Sequence, residues 1–104
     1  MKQIVIRILG PQIPVFDVVS GDIKDGQFAP DSSVEAIFED YLGADTSALL
    51  HYDTILGGQA YVTSDNLLPL IDALTSDTRS IGVEFYPNFL IFKFNFNGTE
   101  KEEK

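Results

Sequence analysis

The 104-residue chain has no cysteine, which excludes disulfides, thiolate zinc sites, iron–sulfur clusters and cysteine nucleophiles together. It has a single histidine, His51, too few for a zinc centre built on imidazole. No stretch approaches the roughly 18 apolar residues that cross a bilayer as a helix. The first apolar run is short and broken by Arg7, and no cleavage-type segment follows it, so the expected place is the cytoplasm. Cations are scarce as well. Seven Lys and Arg face 16 Asp and Glu, giving a net charge of −9 and a pI near 4.2, which argues against direct contact with nucleic acid or an anionic membrane.

What is present is enough for one packed core. Hydrophobic residues make up 44% of the chain, aromatics 12%, and the mean hydropathy is +0.05, the composition of an ordinary globule. The length suits one domain, expected over residues 1–97, with 98–104 as a flexible charged tail.

Charge divides the chain. From Met1 to Phe16 there are only Lys2 and Arg7, and from Thr78 onward four bases balance four acids. Between them, Asp17 to Asp77 carries twelve acids and one base, Lys24, a net −11.

Hydrophobic period assigns the elements. Ile4, Ile6 and Ile8 alternate with Gln3, Val5 and Arg7, which predicts a strand, and a second is expected from Ile13 to Val19 after Gly10-Pro11. Ser20 to Pro30, with Gly21, Asp22, Asp25, Gly26 and Pro30, reads as a surface loop. Ser32 and Glu35 form a candidate capping box, followed by the stripe Val34, Ile37, Phe38, Tyr41 and Leu42 and a stop at Gly43. Glu35, Glu39 and Asp40 lie off that stripe. A short helical turn is expected over Thr46–Leu50, with Gly57-Gly58 ending the extended segment after it, and a strand over Gln59–Thr63. A second helix is expected to begin near Asn66 and run through Leu74, with Pro69 in its first turn. Ser80–Tyr86 and Phe89–Phe96 read as a hairpin across Pro87-Asn88. The expected fold is a single α+β domain, order β-β-α-(α)-β-α-β-β, with a mostly antiparallel sheet and two amphipathic helices on one face. The first and last strands, the most apolar, are placed centrally.

No motif specifies a reaction. His51 lies near Asp53, but no frame sets a serine nucleophile beside it. Asp22, Asp25 and Asp31 share a glycine-containing stretch. Aligning Gly26 with the EF-hand glycine, however, puts Gly21, Ile23 and Ser32 where acids are required, so no metal site is assigned. Gly57-Gly58 lacks the lysine and spacing of a phosphate loop, and no cofactor is expected. Asn97-Gly98-Thr99 fits a glycosylation acceptor by chance.

Three functions remain to weigh. The first is a non-enzymatic interaction protein that offers an acidic face, Asp22, Asp25, Asp31, Glu35, Glu39, Asp40 and Asp45, to a basic partner protein. Inhibitors, immunity or antitoxin proteins and nucleic-acid mimics work in this way. The second is a module that self-associates as a homodimer through the aromatic C-terminal hairpin, with Phe89, Ile91 and Phe92 at the interface. The third is a small enzyme using a pair of carboxylates, although no spacing selects a pair.

Overall fold

Alternation at the start of the chain produces the expected first strand, β1, Lys2–Ile8. The computed structural model describes residues 1–8, 15–53 and 59–96. The expectations for Gly10-Pro11, the start of the second strand, Gly57-Gly58, Asn97-Gly98-Thr99 and the tail 98–104 lie outside them. β1 pairs antiparallel with β2 (Val15–Lys24) on one side and with β7 (Phe89–Phe94) on the other. β5 (Gln59–Thr63) joins the free side of β2 and carries β4 (His51–Asp53), while β6 (Ser80–Tyr86) lies outside β7. The resulting order is β4-β5-β2-β1-β7-β6, antiparallel at every pairing, so this is the α+β domain the sequence predicts, with β1 and β7 inside the sheet.

Beyond Val19 the chain departs from the expected loop. β2 continues to Lys24, turns, and returns as β3 (Gln27–Pro30) against its own last residues. The turn residues Asp25 and Gly26 have φ of 55° and 76°. Two successive positive φ values make the two-residue turn whose twist matches flanking strands. Asp-Gly is the sequence signal for that turn, and the polar composition around it conceals the strands.

The helices differ in detail from their sequence signals. Ser33, one residue after the expected cap, takes the Ala36 N–H on its Oγ at 3.1 Å. α1 (Val34–Ile37) then widens into a π-helical turn over Phe38–Leu42, in which the Gly43 N–H donates to the Phe38 carbonyl at 2.9 Å. Gly43, at φ 95°, ends it as expected. α2 spans Ala44–Ser47. α3 runs Ser64–Ser76, beginning two residues before Asn66, so Pro69 falls in the helix interior and not in the first turn. The ring leaves the Asp65 carbonyl without its helical donor. Asp65 and Pro69 are both exposed, so water can take that carbonyl, while the buried Leu70 and Leu74 hold the helix to the sheet.

All these helices cover one face of the sheet. Ile4 and Ile6 of β1, Val18 of β2, Ala60 and Val62 of β5, and Phe92 and Phe94 of β7 meet Val34, Phe38, Leu70 and Leu74 in one buried cluster. Lys2 shares that face by alternation and is only 6% exposed. Its ammonium lies 2.9 Å from Asp31 and 3.2 Å from Asp22, and Ser20 Oγ donates to the same Asp31 carboxylate at 2.8 Å. Among the described residues no helix is long and apolar enough to cross a membrane.

Two stability predictions follow from this corner. Asp31→Asn leaves a buried ammonium with one carboxylate and is expected to lower unfolding stability by about 2–4 kcal/mol in urea titration. A Cβ at Gly21 would lie 2.6 Å from the Phe28 ring and 2.5 Å from the Ala29 carbonyl oxygen. Gly21→Ala is therefore expected to displace β3, cost about 1–3 kcal/mol, and speed exchange of the Asp31 amide, which donates to Ser20 O at 2.9 Å.

Candidate functional site: the acidic helical layer

The carboxylates fall into two groups according to whether a cation is in reach. Arg7 binds Asp17, with its Nε at 2.9 Å, and Lys2 holds Asp22 and Asp31. Arg79 holds Asp77 at 2.9 Å, and Lys93 holds Glu84. Their charges are spent within the fold. The Arg79 guanidinium keeps the Asp77 carboxyl below its usual range, and the Lys93 ammonium does the same for Glu84.

The other group is exposed and forms no ion pair among the described residues: Glu35, Glu39, Asp40 and Asp45 along α1, the π-helical turn and α2, Asp65 and Asp72 on α3, and Asp25 at the β2–β3 turn. Between Lys24 and Arg79 the chain has ten Asp and Glu and no Lys or Arg, so the helices carry no base of their own. Of the candidate partner-binding residues, the structure groups Glu35, Glu39, Asp40 and Asp45 on that layer. Asp25 stands apart at a turn tip, and Asp22 and Asp31 are engaged with Lys2. Asp65 and Asp72 join the layer without having been singled out, because a cap position and an isolated outward acid are weak signals in sequence. The signal for Asp22 and Asp31 was the face of Lys2: a lysine in phase with Ile4 and Ile6 must find a buried anion.

Tyr52 of β4 reports on this layer. Its hydroxyl bonds Ser47 Oγ at 2.9 Å and donates to the Ser47 carbonyl at 3.2 Å. Burial raises its pKa first, the Ser47 bond opposes that rise, and the negative field of Glu35 and Glu39 adds to it.

The face of the sheet away from the helices is different in kind. The rows Val19–Val5–Ile91 and Tyr61–Asp17–Arg7–Phe89 run across it, with His51 stacked on Tyr61 at 5.0 Å. Phe89 and Ile91 belong here, half-buried. Phe92 does not: it alternates to the other side, is completely buried beneath the helices, and so leaves the candidate interface. On the helix side of the sheet an apolar cleft of about 250 Å³ is lined by Leu67 of α3 with Ile6, Phe16, Tyr86, Pro87, Phe89 and Leu90, and no carboxylate lines it. Among the described residues no three His, Asp or Glu side chains converge as a metal site would require. The cation that Asp22 and Asp31 hold is the Lys2 ammonium.

Compared with protein-family models, curated proteins and solved structures, the chain shows no match in any of the three.

Because its pKa is raised in the fold, Tyr52 contributes stability below its unfolded value of about 10, and that contribution is lost as pH rises through the folded value. Glu35→Gln with Glu39→Gln is expected to lower the Tyr52 pKa without restoring it fully, since burial remains. NMR titration of the tyrosine ring reads the change, and an unaltered pKa would show that the two glutamates do not act on Tyr52.

Proposed function

We propose that this protein is a non-enzymatic binding partner for a basic protein surface, engaged through Glu35, Glu39, Asp40 and Asp45 with Asp65 and Asp72 extending the same layer. One observation carries the reading: these carboxylates are exposed on helices that contain no base, while every described cation except Lys24 has a carboxylate partner in or beside the sheet. Such an arrangement produces a one-signed field over one side of a small protein. The field accelerates encounter with a cationic site and can occupy it in place of phosphates. α1, the π-helical turn and α3 are seated by Val34, Phe38, Leu70 and Leu74, and the exposed acids take no part in that core. Surface charge of this sign also aids solubility, and that role alone would leave binding unaffected by where the charge sits.

The test uses the protein as bait in extracts of its native host, beside a variant carrying Glu35→Lys, Glu39→Lys and Asp40→Lys. Wild type is expected to recover a basic protein whose affinity falls about tenfold or more from low to physiological salt, and the variant to recover none of it. All three reversals lie on the exposed side and are expected to leave the circular dichroism unchanged. Equal recovery by the reversed bait, or recovery indifferent to salt, would overturn the proposal.

A further inference from the structure

The free edge of β6 carries a concentration of exposed apolar side chains that the acidic layer does not explain. Among the described residues, the large hydrophobics exposed to solvent are Met1, Phe28, Leu68, Ile81, Phe85 and Tyr86, and three of these six lie on this one strand. Ile81 is 58% exposed and Phe85 71%. β6 is the last strand of the sheet, and no described strand pairs with its outer side. It is seven residues long, longer than the short, charged or proline-bearing edges that discourage strand addition. Its one charge, Glu84, is bound by Lys93 and accepts from Tyr86 Oη at 2.8 Å. In a chain of net charge −9, this edge is locally neutral.

Backbone direction is fixed by the turn. Tyr86 pairs with Phe89 across the two-residue loop Pro87-Asn88, so Tyr86 and Glu84 spend their N–H and C=O on β7, while those of Val83 and Phe85 point outward. The bulge between Ser80 and Gly82, where Gly82 takes φ 153°, lies at the far end and leaves Val83 to Tyr86 regular.

We infer that this edge pairs with the same edge of a second copy, joining two sheets into one through an antiparallel β6–β6 contact about a twofold axis at Val83. Each Val83 then exchanges both backbone bonds with its counterpart. The same axis brings Ile81, the bulge residue of β6, towards Phe85 of the other copy, so the two most exposed apolar side chains of the strand lie at the contact. An isologous contact of this kind needs a self-complementary strand, and β6 has that pattern. Charge permits it. α1 packs on β2 and β5, three to four strand spacings from β6, or about 14–19 Å at about 4.8 Å each. With the β6–β6 spacing added, the α1 acids of the two copies would lie roughly 33–43 Å apart, several times the screening length of about 8 Å at physiological salt.

The experiment is light scattering on the full chain over a wide concentration range, with hydrogen exchange on the same samples. Wild type is expected to shift from the mass of one chain to that of two, and the Val83 and Phe85 amides to slow by about tenfold or more as it does. Ile81→Lys with Phe85→Lys is expected to give one-chain mass throughout, whereas Ile91→Lys, on the open face, keeps the dimer. A wild type monomeric at every concentration overturns the inference, as does a dimer that survives the double β6 variant or is broken by Ile91→Lys. Because the exchange measurement uses the wild type, it decides the matter even where a variant fails to fold: a dimer with Val83 and Phe85 amides unprotected is a dimer by another surface.

Discussion

A shortage of cations organises this protein. Seven bases cannot neutralise sixteen acids, and four of those seven are held by carboxylates within the fold. Lys2 is the sharpest case. It is forced onto the covered side of β1 by strand alternation, and two carboxylates and the Ser20 hydroxyl close around it. That corner ties β1 to the end of β2 and to the approach to α1, because Asp22 is on β2 and Asp31 lies two residues before the α1 cap, Ser33. Arg79 does comparable work at the opposite end of α1. It binds Asp77, donates to the Tyr41 carbonyl of the π-helical turn and lies over the Phe96 ring at 4.8 Å, while that ring stacks on Tyr41 at 4.5 Å.

Spending the bases in this way leaves the remaining acids without partners, and the fold sorts them by face. Helices over a one-sided sheet bury their apolar stripe and turn everything else to water. Acids that cannot be paired are therefore tolerated on the helices and excluded from the sheet interior. The opposite face of the sheet carries the pairs Arg7 with Asp17 and Lys93 with Glu84, with Val5, Val19 and Ile91 between them. The two sides of the molecule thus differ in the physics they offer: a salt-dependent electrostatic field on one, short-range apolar contact on the other.

The sequence was most legible where burial alone decides the structure. β1, β5 and the β6–β7 hairpin follow from period two and a turn pair, and the inward set Val34, Phe38, Leu70 and Leu74 follows from period 3.6. It was least legible where a local signal competes with composition. Asp25-Gly26 is a hairpin turn inside a stretch whose Asp, Gly and Pro content suggests a loop. Pro69 sits in a helix interior because tertiary packing of Leu70 and Leu74 outweighs one missing bond. The candidate site divided along the same line. Exposed helix acids could be read from the stripe they avoid, but pairing within the fold could not, because Asp22 and Asp31 are 20 and 29 residues from the lysine that holds them.

Two kinds of contact on separate surfaces need not compete. A field-driven encounter depends on net charge within about one screening length and weakens with salt, whereas strand addition depends on backbone groups and apolar cover and gains slightly as salt suppresses repulsion between like-charged copies. Raising ionic strength should therefore move the two in opposite directions. Joining two chains at β6 would also double the number of acidic layers on one side of a continuous sheet, since a twofold axis normal to the sheet keeps both sets of helices on the same face. A basic partner large enough to span both would gain from effective concentration without any new contact, and one that covers a single layer would not. The neutrality of the β6 edge is what links the two surfaces, for only a strand whose charge is already spent can bring two such anionic molecules together.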